Sequence, residues 1–255
     1  MFINNIDPVL LSLGPLEVRY YGLVYLLGFF LALIFLQKNR NSLKIGKEEV
    51  YDLSFYFMLG IVLGARLFAI FGNWSYYWAN PLKMIALWEG GMSFHGGLIG
   101  AALAVYLYCK YNNVNFAKVA DILSIPTIFA LALGRLTNFT NQELYGPITN
   151  VNWCVQFQGV DGCRHPYQIY SAIKRTIVGV ILIWIDSKHH KNGFVFWNMV
   201  WMLGAGRLFL DFYRVDELVF GLTKGQYGSI IMIILGFYVL YRYYWNDIKD
   251  DFFKI

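Results

Sequence analysis

The chain has 255 residues, of which 58% are hydrophobic, 19% aromatic and only 15% charged. Soluble domains average about 45–50% apolar and about 25% charged residues, so this composition excludes an ordinary soluble protein and points to an integral membrane protein. The net charge of +5 reads as membrane topology and contact with a lipid surface, and no nucleic-acid partner is expected.

Seven apolar runs approach the ~20 residues of a bilayer-crossing helix: 18–36, 50–72, 94–111, 119–135, 167–185, 194–213 and 226–245. They are continuous and about twice the ~10 residues of a membrane-barrel strand. The expectation is an all-α integral membrane protein, a single seven-helix transmembrane domain over 1–255. No basic residue precedes Arg19, and the first run is long enough to stay in the membrane, so no cleaved signal peptide is expected. Of the 21 Lys and Arg residues, an outside N-terminus leaves eleven in inner segments and four in outer loops. Cationic loops are retained on the cytoplasmic side, which predicts N-terminus outside and C-terminus cytoplasmic.

Three outer segments, 1–17, 73–93 and 136–166, are long enough to form structure of their own. The last is rich in Asn, Gly and aromatics, and loops beyond ~12–15 residues are usually functional or disordered; function is favoured here. Cys154 and Cys163 share this segment. A disulfide in an oxidising compartment and two unpaired thiols are both compatible with their spacing. No zinc-type spacing, P-loop or dinucleotide fingerprint occurs.

With this topology Arg66, Arg135 and Arg207 fall in the outer portions of their runs, and Arg19, Tyr20, Tyr21 and His95 come to the same level. Ionisable groups in a bilayer cost about 2.5–3.5 kcal/mol each at mid-helix, so their convergence on one layer near the outer headgroups needs an explanation. In 134–146 a helix-end arginine, Arg135, precedes Asn138, Asn141 and Glu143. The guanidinium fork grips phosphate bidentately, asparagines hold phosphate or glycerol oxygens, and Glu143 either orients Arg135 or accepts a proton. The alternative is a salt-bridged loop closing the bundle.

Arg207 and Asp211 stand at i, i+4 on one helical face, as substrate clamp or structural pair. Arg66, in Gly64-Ala65-Arg66, is a lipid contact or a snorkelling side chain. His95 lies between glycine pairs, Gly90-Gly91 and Gly96-Gly97. Such glycines let a headgroup approach the backbone, or simply pack helices. Tyr20, Trp74, Tyr76, Tyr77 and Trp78 read as an aromatic belt.

The string from Trp88 to Gly100, the 134–146 stretch, Arg164-His165-Pro166 with Gln168 and Tyr170, and Tyr21-Gly22-Leu23 with Tyr25 resemble the motifs of the bacterial prolipoprotein diacylglyceryl transferases. The likeness runs in order from Asp7-Pro8 to about Arg214. It implies a multi-pass enzyme of the bacterial inner membrane, active at the outer leaflet, with no cofactor and no metal. Such an enzyme moves diacylglyceryl from phosphatidylglycerol to the lipobox cysteine of a prelipoprotein signal peptide, releases glycerol phosphate, and performs the first step of lipoprotein maturation.

By this resemblance His95, Arg135, Asn138, Glu143 and Arg207 fall on essential or lipid-binding positions and Tyr21 on an important tyrosine. His95, Arg135, Glu143 and Arg207 are the expected catalytic group. Arg135, Asn138, Arg207, Tyr21, Gly96, Gly97, Asn141, Arg66 and Asp211 are the expected phosphatidylglycerol contacts. Departures occur at Asp211, where the family usually has glutamate, at Tyr167 (serine), and at Ser171 and Arg175 (acids).

The residue types also suit the chemistry. The thiol attacks the glycerol carbon bearing the phosphodiester, and the departing phosphate needs fixed donors, the role of Arg135 and Arg207. A thiol is a weaker acid than an imidazolium, so proton transfer to His95 is uphill unless guanidinium charges acidify the thiol. Glu143 is the rival base. Two other classes remain: a transporter, which needs polar groups at several depths, and a lipid-binding scaffold, which has no use for His95.

Overall fold

The computed structural model describes residues 2–14, 16–86 and 90–252; Trp88 and Glu89 of the motif above lie outside them. All seven apolar runs form long helices: α1 (Tyr20–Leu43), α2 (Lys47–Gly72), α4 (Phe94–Tyr111), α5 (Phe116–Thr140), α6 (Tyr167–Asp186), α7 (Phe194–Leu210) and α8 (Lys224–Phe252), with a short α3 (Trp74–Ala79) between the second and third of them. Among the described residues five helices are long and apolar enough to cross a membrane: Tyr20–Leu43, Lys47–Gly72, Phe116–Thr140, Tyr167–Asp186 and Lys224–Lys249. The remaining two are shorter, 18 residues in α4 and 17 in α7. The chain is thus a mostly helical protein of membrane type. It divides into two compact units, Leu31–Val119 and Met1–Phe30 with Ala120–Ile255.

In the unit 31–119, α2 packs along α4 through paired glycines. Gly60 and Gly64 of α2 meet Gly100 and Gly96 of α4 so closely that a Cβ at any of the four would overlap a backbone oxygen of the other helix. Small residues spaced by four let helix backbones approach in membranes, where packing replaces the hydrophobic effect as the driving force. Farther along the pair, Tyr108 donates to the Glu49 carbonyl at 2.8 Å. Ser93 caps α4, its Oγ accepting from the Gly96 amide at 3.3 Å, and its own amide donates to the Ala65 carbonyl at 3.0 Å.

The other unit holds the N-terminus, α5 to α8 and the segment between α5 and α6. Strand β1 (Phe2–Asn4) runs parallel to β4 (Val155–Phe157), while β2 (Val9–Leu13) and β3 (Leu16–Arg19) form a hairpin that leads into α1. Buried Asn4 donates to the Phe139 carbonyl at 2.7 Å, and Phe2 stacks on Phe139. Cys154 and Cys163 form a disulfide, Cα atoms 5.5 Å apart. Loops of such length gain about 2–4 kcal/mol from a cross-link. Two short strands, β5 (Leu218–Val219) and β6 (Leu222–Thr223), form a hairpin between α7 and α8.

Gly204 of α7 lies against the Ser229 carbonyl and Met232 of α8, and Gly236 of α8 lies under Trp201. Buried Asp121 of α5 caps α7, accepting from the amides of Gly193 (2.5 Å) and Phe196 (2.8 Å). A carboxylate there satisfies orphan N–H groups and opposes the positive end of the helix dipole.

Among the boundaries that differ from the expected runs, three bear on the site. Arg19 belongs to β3 rather than to a helix; its exposed guanidinium pairs with exposed Glu17 at 2.8 Å, a contact contributing at most about 1 kcal/mol. Helix α5 does not stop at Arg135 but continues to Thr140. At its polar end Thr137 and Thr140 turn their hydroxyls back onto the carbonyls of Gly134 (2.7 Å) and Thr137 (2.9 Å). Residues Asp211–Tyr213 tighten into a 3₁₀ turn after α7.

Candidate active site

The helical extension of α5 builds the first half of the site. Arg135 and Asn138 lie at i, i+3 on one face, and the guanidinium Nη1 donates to Asn138 Oδ1 at 3.2 Å. After Thr140 the chain reverses through Gln142 and Leu144, both at positive φ, and the Glu143 amide donates to the Asn138 carbonyl at 3.1 Å. That reversal brings the Glu143 carboxylate back over the helix it has just left. Its Oε1 accepts from Asn138 Nδ2 at 2.7 Å and from the Tyr21 hydroxyl, which in turn accepts from Asn138 Nδ2. Asn138 therefore carries the order of the Tyr21–Glu143 pair to Arg135.

One hydrogen bond is all that Arg135 makes to the described residues, out of five available donors. Glu143 is further fixed through its carbonyl, which accepts from the fully buried Gln168 at 2.6 Å. Asn141 sits at the turn with its buried Oδ1 lacking a hydrogen-bond partner among the described residues.

Helices α6 and α7 supply the second half. Arg207 Nε pairs with Asp211 Oδ2 at 3.2 Å, as the i, i+4 spacing predicts. The other carboxylate oxygen accepts from the Tyr167 hydroxyl at 2.6 Å, and the Asp211 side chain is wholly buried. Gly225 lies flat against this ion pair, where a Cβ would run into Arg207 and Asp211. Arg135 lies within electrostatic reach of Arg207, Arg214, Tyr167 and Asp211. A groove of about 530 Å³ follows α6 and α7; it is lined by apolar residues such as Ile173, Ile177, Trp201 and Phe209, with Lys174 its sole charged member.

Arg66, His95, Gly96 and Gly97 belong to the other unit. There Arg66 is buried, 6% exposed, and bonds to five backbone carbonyls: Met84 (2.9 Å), Gly90 (2.6 Å), Gly91 (3.1 Å), Ala86 (3.1 Å) and Lys83. Its donors are fully occupied, so the geometry favours an organiser of the loop before α4 over either a lipid contact or a snorkelling side chain. Gly90 and Gly91 reach the guanidinium at φ of +84° and +70°, a region that side chains avoid. Tyr77 is buried with the Arg66 guanidinium 5.2 Å from its ring centroid, whereas Trp74, Tyr76 and Trp78 are exposed as a belt requires. His95 is exposed in the first turn of α4. Gly96 is filled by the α2 backbone and Phe68, and Gly97 touches Ile61 and Ala65, which favours helix packing over headgroup approach at these two positions.

Two participants escaped the sequence reading. Tyr167 stood out only as a departure and Gln168 only as a motif member, yet both hold acids of the site in place. Their positions at the start of α6, aligned with buried Ser171 and Arg175, carry the helical spacing that marks one inward face.

A profile of the family described as prolipoprotein diacylglyceryl transferase matches residues 8–242. Among relatives named phosphatidylglycerol–prolipoprotein diacylglyceryl transferase, that of Geobacter sulfurreducens is 39% identical over 246 residues, 92% of this chain and 95% of the relative. The Vibrio cholerae protein is 37% identical over 257 residues, 97% and 95% of the two chains. The Bordetella parapertussis protein is 40% identical over 246 residues, 91% and 93%. With a profile match over most of its length and relatives covered almost end to end, the chain belongs to the prolipoprotein diacylglyceryl transferase family.

Proposed function

We propose that this protein transfers the diacylglyceryl group of phosphatidylglycerol to the thiol of the lipobox cysteine of a prelipoprotein, the first step of lipoprotein maturation. The observation that carries the reading is an arginine, Arg135, fixed among the described residues by one bond only, to Asn138, in a chain of this family. Such a guanidinium is oriented in advance for an anion.

The chemistry follows from the groups. The cysteine S–H gives up its proton, sulfur bonds to the glycerol carbon, and the carbon–oxygen bond to phosphate breaks with its electron pair on oxygen. Arg135 and Arg207 hold the phosphate as that charge grows. His95 takes the thiol proton in this scheme, with Glu143 as the rival acceptor. Asn138, Asn141, Tyr21 and Asp211 position the headgroup or the arginines, and Arg66, Gly96 and Gly97 act through the shape of the backbone before and within α4.

The proposed setting is the bacterial inner membrane, with one domain of seven spans, N-terminus outside, C-terminus cytoplasmic and the site at the outer leaflet. Eleven basic residues in inner segments support that orientation.

Purified protein given phosphatidylglycerol and a lipobox peptide is expected to yield a thioether-linked diacylglyceryl peptide and glycerol phosphate, both read by mass spectrometry. His95→Ala should lose the product while still binding phosphatidylglycerol; a scaffold would keep all its properties in that variant. Tyr21→Phe removes one hydroxyl from the Glu143 network, and a hydrogen bond to a charged group contributes about 1.5–3 kcal/mol. Its kcat/KM should fall by about 10-fold or more, at roughly 1.4 kcal/mol per decade; wild-type kinetics would take Tyr21 out of the mechanism.

A further inference from the structure

Lys174 and Arg175 lie on the stripe of α6 that also carries Tyr167 and Ser171, one and two turns along the helix. Arg175 is 8% exposed, and among the described residues its hydrogen bonds go only to Ser171 of its own helix: the backbone carbonyl at 3.1 Å and the hydroxyl. Its Nε has no partner among the described residues. The Lys174 stem crosses Gly206, the residue before Arg207, so closely that a Cβ there would strike Cδ. Both cations are within electrostatic reach of Arg135, Arg207 and Asp211.

Charge here is lopsided. Asp211 is already held by Arg207 and Tyr167, and Arg214 is paired with Asp216 at 3.3 Å. Among the described residues no carboxylate stands within ion-pair distance of Arg135, Lys174 or Arg175. Cations drawn away from water without a counterion are costly, and buried Arg175 with the half-buried Arg135 and Lys174 makes a cluster that an anion completes. Two positive groups beyond the Arg135–Arg207 clamp gain most from a ligand that carries a second negative charge.

The transfer reaction produces one. The phosphodiester of phosphatidylglycerol carries one negative charge; when its carbon–oxygen bond breaks, the departing glycerol phosphate becomes a phosphate monoester dianion. We propose that Lys174 and Arg175 bind the phosphoryl oxygens of this leaving group and form a subsite for the dianionic product. The proposal rests on the reaction assigned above and adds to it the residues that distinguish product from substrate.

The test uses the full chain in detergent, with glycerol phosphate and inorganic phosphate as inhibitors of diacylglyceryl transfer. Arg175→Gln and Lys174→Gln should each weaken inhibition by both anions about tenfold, while the KM for phosphatidylglycerol moves less than about twofold; Arg175→Lys, which keeps the charge, should restore most of the inhibition. A thermal-shift arm stands apart from catalysis. Glycerol phosphate should raise the melting temperature of the wild type, and Arg175→Met should melt higher than wild type without anion yet show no anion-dependent rise.

A merely structural arginine predicts the opposite, a lower melting temperature in Arg175→Met, and that result overturns the proposal. So do unchanged inhibition constants in both glutamine variants. A KM that rises in step with the inhibition constant also overturns it, because it places these cations on the lipid head in the ground state. Absence of transfer by the wild type would sink the assigned reaction instead, with the thermal-shift arm still deciding the subsite.

Discussion

Replacing Arg135 with alanine is expected to lower diacylglyceryl transfer by about 10²–10³-fold, the usual consequence of removing one donor fixed in advance toward developing charge. Stability should change little. Among the described residues Arg135 makes a single hydrogen bond, to Asn138 Oδ1, and it lies in a cluster where Arg207, Lys174 and Arg175 repel it; removing it takes away one half-buried positive charge. Arg135→Lys keeps the charge but not the planar fork, so partial recovery is expected, chiefly in kcat. Turnover, KM and melting temperature measured on the same preparations separate these effects. An alanine variant with wild-type turnover would remove Arg135 from the mechanism.

Arg66→Ala is expected to act through the fold. Five carbonyls from Lys83 to Gly91 converge on this guanidinium, and deleting it leaves acceptors that water cannot all reach in a site only 6% exposed. The loss should be on the order of 3 kcal/mol, as when one side of a buried polar network is removed. Lysine offers three donors against five, so Arg66→Lys should recover only part of it. Melting temperature and the protease sensitivity of 83–91 report the change directly. If Arg66→Ala matched wild type in both, the loop would have to be held by something other than this side chain.

The long helices were legible because hydrophobic continuity alone defines them, and all seven runs appear. The ends were not. Helix α5 passes through Thr137, Asn138 and Thr140, residues whose side chains compete with the backbone in isolation, and here the two threonine hydroxyls bond carbonyls of the helix itself. The β1–β4 pairing joins Phe2 to Val155, a separation that no local periodicity reports. Spacing left the cysteine pair open, since bridging depends on where the two Cα atoms come to rest.

The site was legible as residue types, most clearly for Arg135, Asn138 and Glu143, whose order along the chain is nearly their order in the network. What sequence left open was the division of labour among arginines. Arg66, Arg135 and Arg175 look alike in a hydrophobic run, yet among the described residues Arg66 has every donor occupied, Arg135 one, and Arg175 bonds only within its own helix turn. The departure at Tyr167 likewise becomes intelligible beside Asp211: a longer hydroxyl-bearing side chain meets a shorter acid at 2.6 Å.

The collar around Arg66 has a polarity of its own. In a planar trans peptide the oxygen and the amide hydrogen point in opposite directions. Wherever Gly90 and Gly91 turn their oxygens toward the guanidinium, the amides of Gly91 and Met92 are aimed away from it. One interior cation thus orients the peptide dipoles that join Gly90 to Gly91 and Gly91 to Met92, in a stretch, Gly90 to Phe94, that bears no charge of its own.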